Sequence, residues 1–227
     1  MESTDRTLLR LHVEAVWNVR LPSLVLNDVE LLPDASQPSW KLCASEQASG
    51  RVNIWRPDVS NIEREALRLR GSEALTFSPF GAPLPGVHRE VALSLAASPR
   101  LDEMTAHSIA RPSTEKDRTL VKAFHPDAYA DFFHLETQPF IGVVISGQLL
   151  SLAHSSRRTP EACELGIDTL PEARQKGYAL AAAIVWTQAI LQARLIPIYS
   201  ADASNTASLR LADAAGYRSF ARLATFE

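Results

Sequence analysis

From Phe140 onward, the order of apolar runs, turns and one alanine-rich segment leaves few folds open to the chain. Phe140 to Ile145 and Gln148 to Ala153 are apolar runs joined by Ser146-Gly147, a hairpin signal. Thr159-Pro160-Glu161 turns the chain again into Ala162 to Thr169, so three antiparallel strands follow one another. A short basic loop comes next. Ala179 to Leu195 then reads as a helix of about 25 Å at 1.5 Å per residue, with Leu180, Ala183, Ile184, Thr187 and Leu191 on one face and alanines that allow close packing on a sheet. Ile196 to Ser200 is a buried strand. Asn205 suits the cap of a helix Thr206 to Ala215, Gly216 its left-handed end, and Tyr217 to Phe226 a last strand or hairpin. The order β-β-β-α-β-α-β predicts an α+β domain built on a mixed sheet.

The first 110 residues carry weaker patterns. Thr7 to Val19 has helical spacing of apolar residues, interrupted at Leu21-Pro22. Trp40 to Ala44 and Arg51 to Trp55 suggest a hairpin with Gly50 in or near the turn, and Asn61 to Arg70 a helix capped by Asn61 and ended by Gly71. Val91 to Ala97 fits strand or helix equally. The polar stretch around Arg111-Pro112 reads as the main linker, giving an N-terminal region 1–110 and a second domain 111–227. Arg118 to Phe133 suggests two short helices divided at His125-Pro126.

A net charge of -3 gives no reason to expect nucleic acid or an anionic membrane as partner. No apolar run is long enough to span a bilayer, and Met-Glu-Ser-Thr-Asp lacks the basic and apolar regions of a signal peptide, so a cytoplasmic protein is expected. Cys43 and Cys163 have no metal-ligand spacing. Two reduced thiols and no metal are the expectation.

The stretch from Cys163 to Ala179 carries the chemistry. A helix start leaves backbone N–H groups without intrahelical partners and a partial positive charge, which favours a phosphate. Arg174 and Lys176 add formal charge there, and Gly177 lets the backbone approach a ligand or adopt a positive φ. The residues predict an anion site of pyrophosphate type. Gly-x-x-x-x-Gly-Lys-Ser/Thr and G-x-G-x-x-G are both absent, which argues against a nucleotide-binding domain.

Arg174-Gln175-Lys176-Gly177-Tyr178-Ala179, Pro171-Glu172 before it, and Asn205-Thr206-Ala207-Ser208 with Gly216-Tyr217 after it resemble the GNAT superfamily of acyl-CoA-dependent N-acetyltransferases. The resemblance covers about residues 118–227. It implies a GNAT-like, mostly antiparallel mixed sheet flanked by helices, with an additional N-terminal α/β region. It implies acetyl-CoA as acyl donor and a small amine-bearing acceptor. Arg174, Gln175, Lys176, Gly177, Tyr178 and Ala179 would hold the pyrophosphate, Ile167, Asp168 and Thr169 would meet the pantetheine arm, and Asn205 would be a cap, a cofactor ligand, or both. The N-terminal region is read as a substrate-recognition subdomain in preference to a degenerate partner or a homodimer surface.

Attack on a thioester needs a neutral amine, so a base must take a proton from an ammonium of pKa near 10. Glu164 is the first candidate and Asp168 the second; four residues apart on a strand, they share a side. Many family members carry a tyrosine in the helix after the asparagine as proton donor to the thiolate, whereas this chain has Ala212; Tyr199, Tyr178 and Tyr217 are the substitutes considered, Tyr199 foremost. His154 is read as lining the acceptor groove rather than serving a nucleophile, and Cys163 as a small buried thiol. The alternative to an enzyme is a non-catalytic acyl-CoA-binding or regulatory module.

Overall fold

The computed structural model describes residues 4–33, 36–126 and 134–227. Its elements are α1 (Thr4–Trp17), β1 (Asp28–Glu30), β2 (Leu42–Gln47), β3 (Gly50–Trp55), α2 (Asn61–Thr76), β4 (His88–Leu95), α3 (Glu103–Ile109), β5 (Arg111–Pro112) and α4 (Arg118–Phe124). They continue with β6 (Ile141–Ile145), β7 (Gln148–Arg158), β8 (Ala162–Thr169), α5 (Tyr178–Gln192), β9 (Ile196–Asp202), α6 (Thr206–Ala214) and β10 (Tyr217–Phe226). The chain divides into two compact units, one from Met1–Ser94, Tyr199–Arg210 and Arg218–Glu227, the other from Leu95–Ile198 and Leu211–Tyr217. The antiparallel ladders β2–β3, β2–β10, β5–β6, β6–β7 and β7–β8 stand beside parallel β1–β3 and β8–β9, the mixed α+β arrangement expected. No helix among the described residues is long and apolar enough to cross a membrane.

In the first unit the strand order runs β1-β3-β2-β10-β4. Alternation along β2 sends Cys43 to a core that includes Leu9 and Val13 of α1, and Leu42 and Ala44 to a second core that includes Leu67 and Leu75 of α2. Helices therefore cover both faces. Helix α2 runs past the end expected at Gly71, and its cap is Ser60, whose side chain accepts from Glu63 N, rather than Asn61. A Cβ at Gly71 would lie 3.1 Å from Ala44 Cβ and 3.3 Å from Leu42 Cδ2, so this glycine lets the helix approach the sheet instead of ending it. Val91 to Ala97, ambiguous in sequence, is largely strand: β4 carries Arg89 and Glu90 inward.

Those inward charges are held. Arg89 donates to the carbonyls of Ala74, Phe77 and Ala82 and stacks over Phe77 and Phe80, pinning the proline-rich loop after α2. Glu90 Oε1 lies 2.9 Å from Nε2 of fully buried His12, and Oε2 lies 3.9 Å from His88 Nε2, with His88 Nδ1 3.7 Å from Asp202. Burial pushes the Glu90 carboxyl up, but the charge and hydrogen bond of His12, with a smaller contribution from His88, outweigh it and hold the group at about 2.

In the second unit β7 is flanked by β6 and β8, and the start of β9 runs parallel to β8. Arg111 and Pro112 are no linker there, since they pair with Gly142 and Ile141 as a short edge strand. Ser146 and Gly147 both have positive φ, as the predicted two-residue turn requires. Helix α5 is buried from Ala181 to Thr187 without a break, whereas Leu191, assigned to its apolar face, is 48% exposed. Its middle is enclosed because β7 and β8 pack on it from one side and α3 from another. Helix α4 covers the other face of the hairpin, with Val121 against Phe140, Leu149 and Leu152. The second short helix expected before Phe133 lies outside the described residues. Gly216 has φ +94° after α6, and its carbonyl accepts from Ala96 N and Ala97 N at 3.0 Å.

Glu90→Gln removes the buried anion and leaves the shape. We expect it to cost about 3 kcal/mol at pH 7 in urea unfolding, as for a buried pair stripped of one partner. A carboxyl held below its ordinary value stabilises fully above its unfolded pKa, and that contribution is lost as pH falls through the folded one. The gap between wild type and variant is thus expected to close between about pH 4.5 and 2; equal stabilities at pH 7 would contradict this assignment.

Candidate active site

Strand β8 has two unlike edges. One edge pairs with β7: Leu170 N donates to Leu150 O at 3.0 Å, and the register continues 152↔168 and 154↔166. In an antiparallel ladder every second pair exchanges the hydrogen bonds. Asp168 and Gly166 thus turn their main-chain groups to β7, whereas Leu165, Ile167 and Thr169 turn theirs to the opposite edge. On that edge β8 pairs with β9 within the unit only at 162↔196, 163↔197 and 164↔198. Past Glu164, no other strand of the same unit meets it among the described residues, and Ile167 and Thr169 are half-buried there.

The loop after β8 opens α5. Pro171–Ala173 makes a 3-10 turn, Gln175 has φ +61°, and Gly177 at φ +80° stands at the N-cap with no side-chain cap. A Cβ at Gly177 would meet nothing within 4 Å, so the glycine is needed for backbone conformation, not for space. Arg174, Gln175, Lys176 and Gly177 are exposed, while Tyr178 and Ala179 are half-buried. The first turn of α5 contains no acidic residue. The loop therefore offers uncapped helix N–H groups beside two cations.

Side chains of β8 separate by face. Cys163 and Leu165 lie on the α5 side, where Trp186 Nε1 donates to Ser155 Oγ, the residue paired with Leu165. Burial pushes the Cys163 thiol up, consistent with the inert buried thiol expected. Glu164, Gly166 and Asp168 lie on the other face. Glu164 is 7% exposed and takes the Ser156 hydroxyl at 3.2 Å on Oε2. Asp168 is exposed, and its carbonyl accepts from Ser151 Oγ at 3.1 Å. Between them, His154 lies across Gly166, so that a Cβ at that glycine would fall 2.6 Å from His154 Cε1 and 2.7 Å from Nε2. The imidazole stacks on Phe140 at 6.2 Å and 22°. Burial pushes it below the ordinary histidine value, with Asp168 opposing and His125 and Arg157 adding to the fall.

Tyr199 and Asn205 belong to the first unit. Asn205 Oδ1 accepts from Ser208 N at 3.1 Å, capping α6 as predicted. The Tyr199 hydroxyl lies 2.9 Å from Ser208 Oγ, and burial raises the phenol against that hydrogen bond, keeping it protonated at neutral pH. Ala212, four residues after Ser208, is fully buried and supplies no hydroxyl. A cavity of about 570 Å³ beside Ser98, Glu103, Ile184, Gln188 and Leu191 lies on the second half of α5, about 10 to 20 Å along the helix from Gly177 at 1.5 Å per residue, and is separate from the basic loop.

No curated protein matches the sequence. Among solved structures, a GNAT-family acetyltransferase from Colwellia psychrerythraea is similar at 14% identity, covering 77% of this chain and 75% of its own, with a TM-score of 0.52. A GCN5-related N-acetyltransferase from Sphaerobacter thermophilus is similar at 16% identity, covering 84% of this chain and 61% of its own, also with a TM-score of 0.52. At these identities the likeness shows the fold. The family model described as GNAT acetyltransferase matches residues 56–226, which reaches back beyond the motifs at 164–217 into the N-terminal region. With well over half of the sequence matched and the fold shared, the chain belongs to the GNAT acetyltransferase family.

Proposed function

We propose that the protein is an acetyl-CoA-dependent N-acetyltransferase that moves an acetyl group to a primary amine of a small molecule or peptide by direct attack in a ternary complex. The observation that carries this reading is the join of β8 to α5, where an edge with outward main-chain groups runs into an uncapped, cationic helix start at Gly177. Arg174 to Ala179 would hold the pyrophosphate of coenzyme A. Ile167 and Thr169 would pair with the pantetheine amides through their main chain, with one such N–H polarising the thioester carbonyl; Asp168 would contribute its side chain. A donor aimed at the developing oxyanion is worth about 3 kcal/mol or more in a dry site, against about 0.3 to 1 kcal/mol for a surface charge near a helix end. Arg174 and Lys176 would therefore govern affinity more than turnover.

The proton would be taken on the face that carries Glu164 and Asp168. A thiol of pKa near 8.5 can leave without a strong acid. The second reading is a module that binds acyl-CoA without turnover, and buried Ala212 in place of a phenol is what favours it.

Calorimetry with acetyl-CoA, CoA and ATP separates these readings from a nucleotide site: CoA and acetyl-CoA are expected to bind and ATP to bind more weakly, and a preference for ATP would remove the proposal. Thiol release over a panel of primary amines then separates enzyme from module. Gly177→Glu is expected to abolish CoA binding while the protein stays folded, because a carboxylate would meet the phosphates and a side chain is strained at φ +80°. Unchanged affinity in a folded variant would place the phosphates elsewhere.

A further inference from the structure

The face of β8 that holds the two carboxylates also holds an imidazole, and the packing around that ring is specific. Opposite His154, β8 has Gly166, the residue whose missing side chain leaves room for the ring on the strand itself. Phe140 stacks on the imidazole and fixes its plane. Glu164 stands two residues before Gly166 and Asp168 two residues after, so the ring lies between two carboxylates on one face. The edge of the same strand segment, at Leu165 and Ile167, carries the outward main-chain groups. A thioester laid along that edge would bring its carbonyl carbon to within a strand's width of this imidazole.

We propose that His154 is the group that takes the proton from the attacking nitrogen and returns it to the leaving sulfur, with Asp168 supporting the imidazolium; this rests on the acetyl-CoA reading of the β8 edge and assigns the proton path within it. The amine reacts as its free base, its lone pair forming the C–N bond to the thioester carbonyl carbon. The nitrogen becomes cationic and gives one proton to the imidazole. The C–S bond breaks with its electron pair on sulfur, and the thiolate accepts that proton, so that nitrogen loses one proton and sulfur gains one. A ring held below the ordinary histidine value is neutral at pH 7 and ready to accept. Its conjugate acid is stronger than a thiol of pKa near 8.5, so the return step runs downhill. One imidazole thus covers the base and also the acid that Ala212 does not supply. Glu164, buried and taking the Ser156 hydroxyl, lines the same face. Among the described residues, the charged groups that act on the ring are Asp168 on β8, Arg157 on β7 and His125 after α4.

The test is His154→Gln, compared with Glu164→Gln and Asp168→Asn, in thiol release from acetyl-CoA with a primary-amine panel and with water alone, alongside CoA calorimetry. His154→Gln is expected to lower kcat about a hundredfold, the scale of general acid–base assistance, with CoA affinity unchanged. Wild-type kcat is expected to fall on the acid side with a midpoint below 6.5, and that limb should vanish in His154→Gln. Asp168→Asn, which removes the charge opposing the fall, should move the limb to lower pH still. Should His154→Gln fail to fold, Gly166→Ala, which displaces the ring but keeps it, is expected to lower kcat in its place. A folded His154→Gln with wild-type rate and limb overturns the assignment, as does an acid limb removed by Glu164→Gln alone. Wild type that binds CoA but releases no thiol with any amine or with water overturns it in favour of the module. Wild type that binds no CoA overturns the acetyl-CoA reading itself.

Discussion

Everything proposed for this chain depends on one strand that is satisfied on one edge and not on the other. Backbone N–H and C=O groups taken from water must find partners, and a sheet normally supplies them on both sides. Along β8 the ladder to β7 does so for Gly166 and Asp168, while the parallel ladder to β9 is confined, within the unit, to the first residues of the strand. The main-chain groups of Ile167 and Thr169 meet no other strand of the unit among the described residues, and both residues are exposed enough for water to serve them. A ligand with amides of its own can replace that water group for group. Recognition of this kind asks little of side chains. It asks that the strand stay straight and anchored, which the long β7–β8 ladder and the packing of α5 against β7 and β8 ensure.

The anchor and the proposed anion site are the same helix. Helix α5 is buried through its middle on several sides, so its N-terminus is fixed to the strand that precedes it. The dipole and the uncapped N–H groups are therefore presented at a set place relative to the open edge, which a surface helix could not guarantee. The neighbouring cations are exposed and screened by solvent, and each would add about 0.3 to 1 kcal/mol. On the proposed reading, position rather than charge count would give the loop its selectivity for a ligand that carries phosphates at one end and amides along its length.

The C-terminal half was legible in sequence because its signals are local. Ser146-Gly147, Asn205 and Gly216 each act through the backbone conformation or cap that they themselves form, and the structure has all three where the sequence places them. Local signals mislead where the cause is distant. Gly71 looks like a helix stop until Ala44 and Leu42, far back in the chain, are seen against it. Arg111-Pro112 looks like a linker because proline cannot sit mid-sheet, yet an edge strand accepts it. The continuous burial of α5 was hidden because α3, its second neighbour, has no strong periodicity of its own. For His154 the obstacle was register. The shift between Ser155 and Arg157 breaks the count from the turn, so no spacing rule would have put the ring on Gly166.

With register known, β8 divides its labour by direction. Cys163 and Leu165 point to α5, and changes there should act on stability, because that side is closed by Trp186 and the helix. Glu164, Gly166 and Asp168 point away from it, beside His154, where protons can be moved. The edge between these faces belongs to the main chain, which substitution alters only through proline or a shift of register. A strand organised in this way can keep its donor while its acceptor changes. On the proposed reading, donor contacts would lie in backbone that sequence drift hardly touches, whereas the face that would meet the acceptor is made of side chains. Within this unit the face that carries His154 is bordered by α4, which carries His125 at its end and packs Val121 and Leu120 on Phe140, the ring that stacks on His154. Changes of substrate in such a fold would then pass through α4 and the aromatic floor beneath it before they reached the acetyl donor.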